Sequence, residues 1–160
     1  TVIEVPENWD FGRLWNVPIE DFMAIIDNSL SNGYAVCWDG DVSEKGFSHK
    51  NGVAINPAPE NIEEALKFEK ICKEISVDQK IRQAGYENFT TTDDHLMLLT
   101  GISKDQNGNR YYITKNSWGT ERNSMGGYLH MSESFVRAKS ISIMVHKNSI
   151  PKEIRKKLNF

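Results

Sequence analysis

The chain has 160 residues, 39% of them hydrophobic and 26% charged, with a net charge of −3. That length suffices for one domain with a real core, and the slight acidity sets aside the basic stripe of a nucleic-acid binder. No apolar run approaches the ~18 residues of a membrane-spanning helix, and Cys37 and Cys72 alone make no disulfide framework.

A start at Thr1, with neither a methionine nor a signal-like segment, predicts a processed product or a piece of a longer protein. Residues 1–16 carry Trp9, Phe11 and Trp15 among polar neighbours, the pattern of an extended segment packed on something else. Pro18 suits a first helical position, Glu20 and Asp21 suit the positive end of a helix, and Ile19, Phe22, Met23, Ile26 and Leu30 follow its period. Gly33 ends that helix as a glycine past the cap. Tyr34 to Trp38 is a short apolar strand running into an Asp39-Gly-Asp41 turn, and 51–59 is loop text. Asn61, as an N-cap three residues before Glu64, predicts a helix with an apolar stripe through Ile62, Ala65, Leu66, Cys72 and Ile75. A second short helix covers 78–86. Strands follow at about 95–102, 110–117 and 127–131, then a short helix or turn over 132–139, a strand over 140–146 and a basic helix from Pro151 to Leu158. The whole reads as a single α+β domain.

The densest chemistry lies between Asp93 and Tyr128. His95 opens one strand and Asn116 closes the next, and Asn107-Gly108 between them is a strong hairpin signal. A histidine at a strand end is more often structural than catalytic. An imidazole fixed in one tautomer by an amide acceptor, however, is half of a nucleophilic catalyst. Directly opposed residues keep a constant sum of positions: 211 for His95 and Asn116, against 215 for a tight turn centred on Asn107-Gly108. The pair therefore requires a wider loop or a bulge. Trp118 falls on the same face as Asn116 and would shield the bond, and Asp94 would favour the imidazolium form.

Asp94-His95 before an apolar strand, then Tyr-Ile-Thr-Lys-Asn-Ser-Trp-Gly (112–119) and Gly127-Tyr128, resembles the histidine and asparagine motifs of papain-like cysteine peptidases. The likeness covers roughly 30–146 and implies the mostly β, barrel-like C-terminal half of that fold. A long, largely helical insertion over 57–92, and the run from Asn116 to Tyr128 without a second tryptophan, resemble the bleomycin hydrolase and aminopeptidase C branch. The resemblance implies His95 as general base and acid, Asn116 as its orienting partner and Trp118 as the shield, with a peptide as substrate and no cofactor. For compartment it leans only slightly to the cytoplasm.

The family's nucleophilic cysteine opens a helix, six residues after a glutamine. Cys37 and Cys72 instead have Ser31 and Leu66 at that spacing, and they read as small core hydrophobes within a strand and a helix. The resemblance thus puts the nucleophile upstream of Thr1, on an N-terminal half, and leaves these 160 residues inactive alone. An isolated half would expose apolar surface, which predicts a homo-oligomer or a retained N-terminal partner. The tail, 147–160, is shorter than the arm that anchors the substrate amino group in that branch, so aminopeptidase over endopeptidase is only a lean. Two rivals stand beside this reading: a papain-like binding or assembly module without activity, and a Cys–His–Asn amidase. A metal site is disfavoured, because Asp93, Asp94 and His95 lack any ligand spacing with His49, His130 or His146.

Overall fold

The computed structural model describes residues 14–159. Its elements are α1 (Ile19–Ser31), β1 (Val36–Gly40), β2 (Phe47–Ser48), β3 (Val53–Ala54), α2 (Ile62–Ala65), α3 (Gln79–Glu87) and β4 (His95–Lys104). There follow β5 (Arg110–Lys115), β6 (Tyr128–Ser132), α4 (Glu133–Lys139), β7 (Ser140–Met144) and α5 (Lys152–Lys157). The expected α+β architecture forms, as one curled seven-stranded half-barrel sheet in the order β2-β3-β6-β5-β4-β1-β7, with helices packed against it. Its neighbours are antiparallel except β3 and β6. The expected anchors Trp9 and Phe11, and the last residue of the tail, Phe160, lie outside the described residues.

Helix α1 forms where its period predicts and buries Ile19, Phe22, Met23 and Ile26 against the sheet. Pro18 stands one position earlier than expected, as the N-cap. Gly33, at φ +78°, completes a Schellman ending: its N–H donates to the Leu30 carbonyl and that of Tyr34 to the Ser29 carbonyl. Asp78 caps α3 by accepting from the Ile81 N–H at 2.8 Å.

Segment 42–77 departs from expectation. Strands β2 and β3 were not legible, and the stripe from Ile62 to Ile75 yields one helical turn. Asn61 makes no side-chain cap, and Phe68 adopts a left-handed φ of 58°. The backbone beyond pairs sideways instead: the Ala58 N–H donates to Lys73 O and the Ile75 N–H to Asn56 O, each at 3.0 Å. Those long-range partners replace helix rungs, so propensity loses to tertiary pairing. Neither cysteine is the core hydrophobe expected. Cys72 lies in irregular, half-buried chain, where burial and then the Glu74 charge push its thiol up. Cys37 alternates to the face opposite the buried Val36 and Trp38.

The hairpin β4–β5 turns through Asp105–Asn109, with Gly108 at φ +86°. Pairing starts at Lys104–Arg110 and Ile102–Tyr112, then shifts by one residue at Thr100 to give Leu99–Thr114 and Leu98–Lys115. A one-residue slip exchanges the faces of a strand, so this bulge decides which residues look inward. Met97, Leu99 and Ile102 on β4, and Tyr112 and Thr114 on β5, share the core face. His95 and Asn116 continue those two rows at the rim.

Candidate active site

The hairpin register falls between the two sums considered above. It is 214 near the turn and 213 beyond the bulge, and the β4–β5 ladder ends at Leu98–Lys115. Asn116 and His95 are therefore not directly opposed; the chain bends at Ser117–Trp118, and the side chains close the remaining gap. The His95 Nε2 to Asn116 Oδ1 distance is 2.8 Å. An amide oxygen only accepts, so Nε2 carries the proton and the neutral ring keeps its lone pair on Nδ1. No hydrogen bond reaches Nδ1 among the described residues.

Asn116 is 2% exposed, with partners at Oδ1, Nδ2 and its backbone N–H. Its Oδ1 also accepts the Ser117 N–H at 2.7 Å, its Nδ2 lies 3.3 Å from His49 Nδ1, and its backbone N–H donates to Gly127 O at 3.1 Å. Gly127 holds φ +84°, and a Cβ there would meet the Gly119 carbonyl at 3.0 Å, so the left-handed backbone favours a glycine before Tyr128. The Gly127 N–H in turn donates to Asn123 Oδ1 at 2.6 Å. Trp118 packs its ring 4.8 Å from the His95 ring, tilted by 38°, and Phe47 and His49 meet it edge-on. The indole is itself 52% exposed, so it lies against the His95 ring at the surface of the site.

A strand start is only as fixed as the chain before it. Asp41, 1% exposed, accepts from the Ser43 N–H and Oγ and from the Thr92 N–H, and lies 3.8 Å from Lys139 Nζ. It ties the end of β1 to the approach to β4. Gly40 pairs with His95, and a Cβ there would meet the Lys139 carbonyl at 2.3 Å and the Trp38 ring at 2.4 Å. Asp94 is turned to that same junction, accepting from the Val42 N–H at 2.9 Å. Burial, then repulsion from Asp41, raises its carboxyl. Asp39, Asp93, Asp94, His95, Leu96 and Ser117 line an open depression of ≈ 590 Å³. Burial and a hydrogen bond with Asp93 push the Asp39 carboxyl up to about 7. Among the described residues no three His, Cys, Asp or Glu side chains converge as metal ligands. No described helix is long and apolar enough to cross a membrane.

The structure thus brings His95, Asn116 and Trp118 together and points Asp94 at a neighbouring turn. Asp41 and His49 escaped the sequence reading because their contacts span 51 and 67 residues, with no local spacing to reveal them. An imidazole with a free Nδ1 lone pair, braced through Nε2, can take a proton from a thiol or hydroxyl brought to it.

The sequence model of the Peptidase C1-like family matches residues 7–160. No curated protein matches the sequence. Among solved structures, PepW from Lactobacillus rhamnosis superposes with a TM-score of 0.63 at 20% identity, over 99% of this chain and 34% of PepW. At that identity the likeness is one of fold, and the chain spans about a third of PepW's length. The bromelain protease of Ananas comosus (17% identity, 80% of this chain, 46% of that one) has a TM-score of 0.43. The ragweed cysteine protease Amb a 11 in its proform (13% identity, 80% of this chain, 30% of that one) also has 0.43. With a family match over nearly its whole length and a half-barrel fold like that of PepW, the chain belongs to the Peptidase C1-like family.

Proposed function

We propose that this chain supplies the histidine and asparagine of a cysteine peptidase whose nucleophilic thiol comes from an N-terminal half outside residues 1–160. The observation that carries the reading is the 2.8 Å His95–Asn116 bond beneath Trp118, which leaves Nδ1 as the acceptor. The incoming thiol gives its proton to His95 Nδ1, and the thiolate attacks the peptide carbonyl carbon. The tetrahedral intermediate collapses as His95 returns that proton to the departing amine, leaving a thioester. Water, deprotonated by the same nitrogen, then cleaves the thioester and restores the thiol. Asn116 holds the ring through both proton transfers, and Trp118 keeps water from competing for its bond.

Within this reading the substrate is a peptide, 57–92 is an insertion of the bleomycin hydrolase and aminopeptidase C kind, and 147–160 is a C-terminal tail shorter than that branch's arm. The lean to aminopeptidase rests on the Asn116-to-Tyr128 motif and that insertion. The test is hydrolysis by the full-length protein of matched peptides with free and blocked amino termini. Cleavage of the free peptide alone fits an aminopeptidase, cleavage of both an endopeptidase. Cleavage of neither, with no thiol six residues after a glutamine upstream, overturns the proposal in favour of a binding module.

A further inference from the structure

We propose that His49, acting with the Ser117 N–H, fixes which way round the Asn116 carboxamide sits, and thereby which tautomer His95 adopts; the inference rests on reading those two residues as the base of a peptidase. A carboxamide keeps nearly the same shape when turned end for end, exchanging its acceptor oxygen for its donor nitrogen. With the oxygen toward His95, the ring donates from Nε2 and offers Nδ1 to a thiol. With the nitrogen toward it, Nε2 must accept, the proton moves to Nδ1, and the base is lost. Packing alone does not choose between these states, so hydrogen bonds must.

Two contacts choose. The Ser117 N–H donates to Oδ1 at 2.7 Å, and Nδ2 lies 3.3 Å from His49 Nδ1, which has to act as acceptor. His49 arrives from the connection between β2 and β3 and is held in place from three sides. Its carbonyl accepts the Asn123 Nδ2–H at 2.6 Å and the Gly52 N–H at 3.2 Å, and its ring stands edge-on to Trp118 at 5.4 Å. Because Nδ1 accepts, the proton of the neutral ring sits on Nε2, which is buried and has no hydrogen-bond partner among the described residues. A buried, unpaired donor destabilises a fold, and an apolar ring of equal shape would avoid that cost. What the histidine adds over such a ring is the Nδ1 lone pair facing Asn116. His49 is thus a positioning residue, acting on the reaction through Asn116 and His95.

His49→Phe keeps the ring shape and the contact with Trp118 while deleting both nitrogens. The expected result is unchanged or higher thermal stability, with the nitrogen NMR resonances of the His95 ring moving from one Nε2–H tautomer to a mixture. His49→Asn, whose Oδ1 reaches about where Nδ1 sits, restores the single tautomer. In the full-length enzyme the phenylalanine variant loses kcat about five- to tenfold at unchanged KM, and the asparagine variant recovers most of it. If the phenylalanine variant does not fold, His49→Leu makes the same deletion with less volume, and the same resonances decide. An unchanged His95 tautomer without the acceptor overturns the proposal, whether or not the protein cleaves peptides. A tautomer shift in a full-length protein without peptidase activity upholds the role of His49 and overturns the catalytic reading instead.

Discussion

The β4–β5 hairpin is closed by polar networks at both ends, and the two are built differently. At the turn, Asp105 does nearly everything within five residues: its carboxylate accepts from the Asn107 and Asn109 N–H groups and from Asn109 Nδ2, at 2.7–2.9 Å. At the rim, no partner of His95 or Asn116 is so local, Ser117 apart. The network there joins β1, the β2–β3 connection, the approach to β4 and the loop after β5. A local network forms as soon as the hairpin does, whereas a long-range one forms only when the whole sheet is assembled. The turn end can therefore vary without consequence for the site, and the rim cannot.

The sharpest way to break that comparison is His95→Ala in the full-length protein, for which the account expects peptide hydrolysis to fall on the order of a thousandfold in kcat. Asn116→Ala removes one buried, charge-assisted bond to the imidazolium and should cost about ten- to a hundredfold in kcat with KM little changed. Asp41→Ala strands the Ser43 and Thr92 N–H groups that its buried carboxylate accepts, a loss of about 3 kcal/mol of folding stability by chemical denaturation. Its effect should carry to the site, because the start of β4 hangs on Asp41. Asp105→Ala is the counter-test: a small fall in Tm and unchanged activity. Equal losses of activity from the turn and from the rim would erase the distinction.

The same contrast explains what could be read from the sequence. The Asn107-Gly108 turn, the Gly33 ending and the α1 stripe are signals within a few residues, and each element formed close to its expected bounds. His95 and Asn116 stand out through their motifs, yet the sums of 211 and 215 bracket the true register without giving it: the one local cue to the bulge at Thr100 is Gly101 inside the strand pattern, which marks a place for a shift and not the resulting register. The stripe from Ile62 to Ile75 misled for the opposite reason. It has helical spacing, but residues 73–75 take backbone partners at 56–58, which no local window contains. His49 and Asp41 belong to the same class: their type is ordinary and their partners distant.

The smallest expected effect concerns pH. The Asp39 carboxyl, pushed to about 7 by burial and by Asp93, binds its proton more tightly in the folded chain than in the unfolded one. Ionising it between about pH 4 and pH 7 therefore removes stability, which stays lost at higher pH. Asp39→Asn should raise stability at about pH 8 by roughly 1–2 kcal/mol, a figure discounted because the group is half exposed, and change it little near about pH 4. Denaturant midpoints at the two values read this directly.

The pairing of His95 with a thiol from outside this chain is most directly measured by alkylation of the full-length protein with iodoacetamide across pH. The account predicts one thiol, distinct from Cys37 and Cys72, that reacts rapidly at about pH 6, where an ordinary thiol is protonated, and that slows to the ordinary rate in His95→Ala. The absence of such a thiol, or one whose reactivity is the same with and without the imidazole, would contradict it.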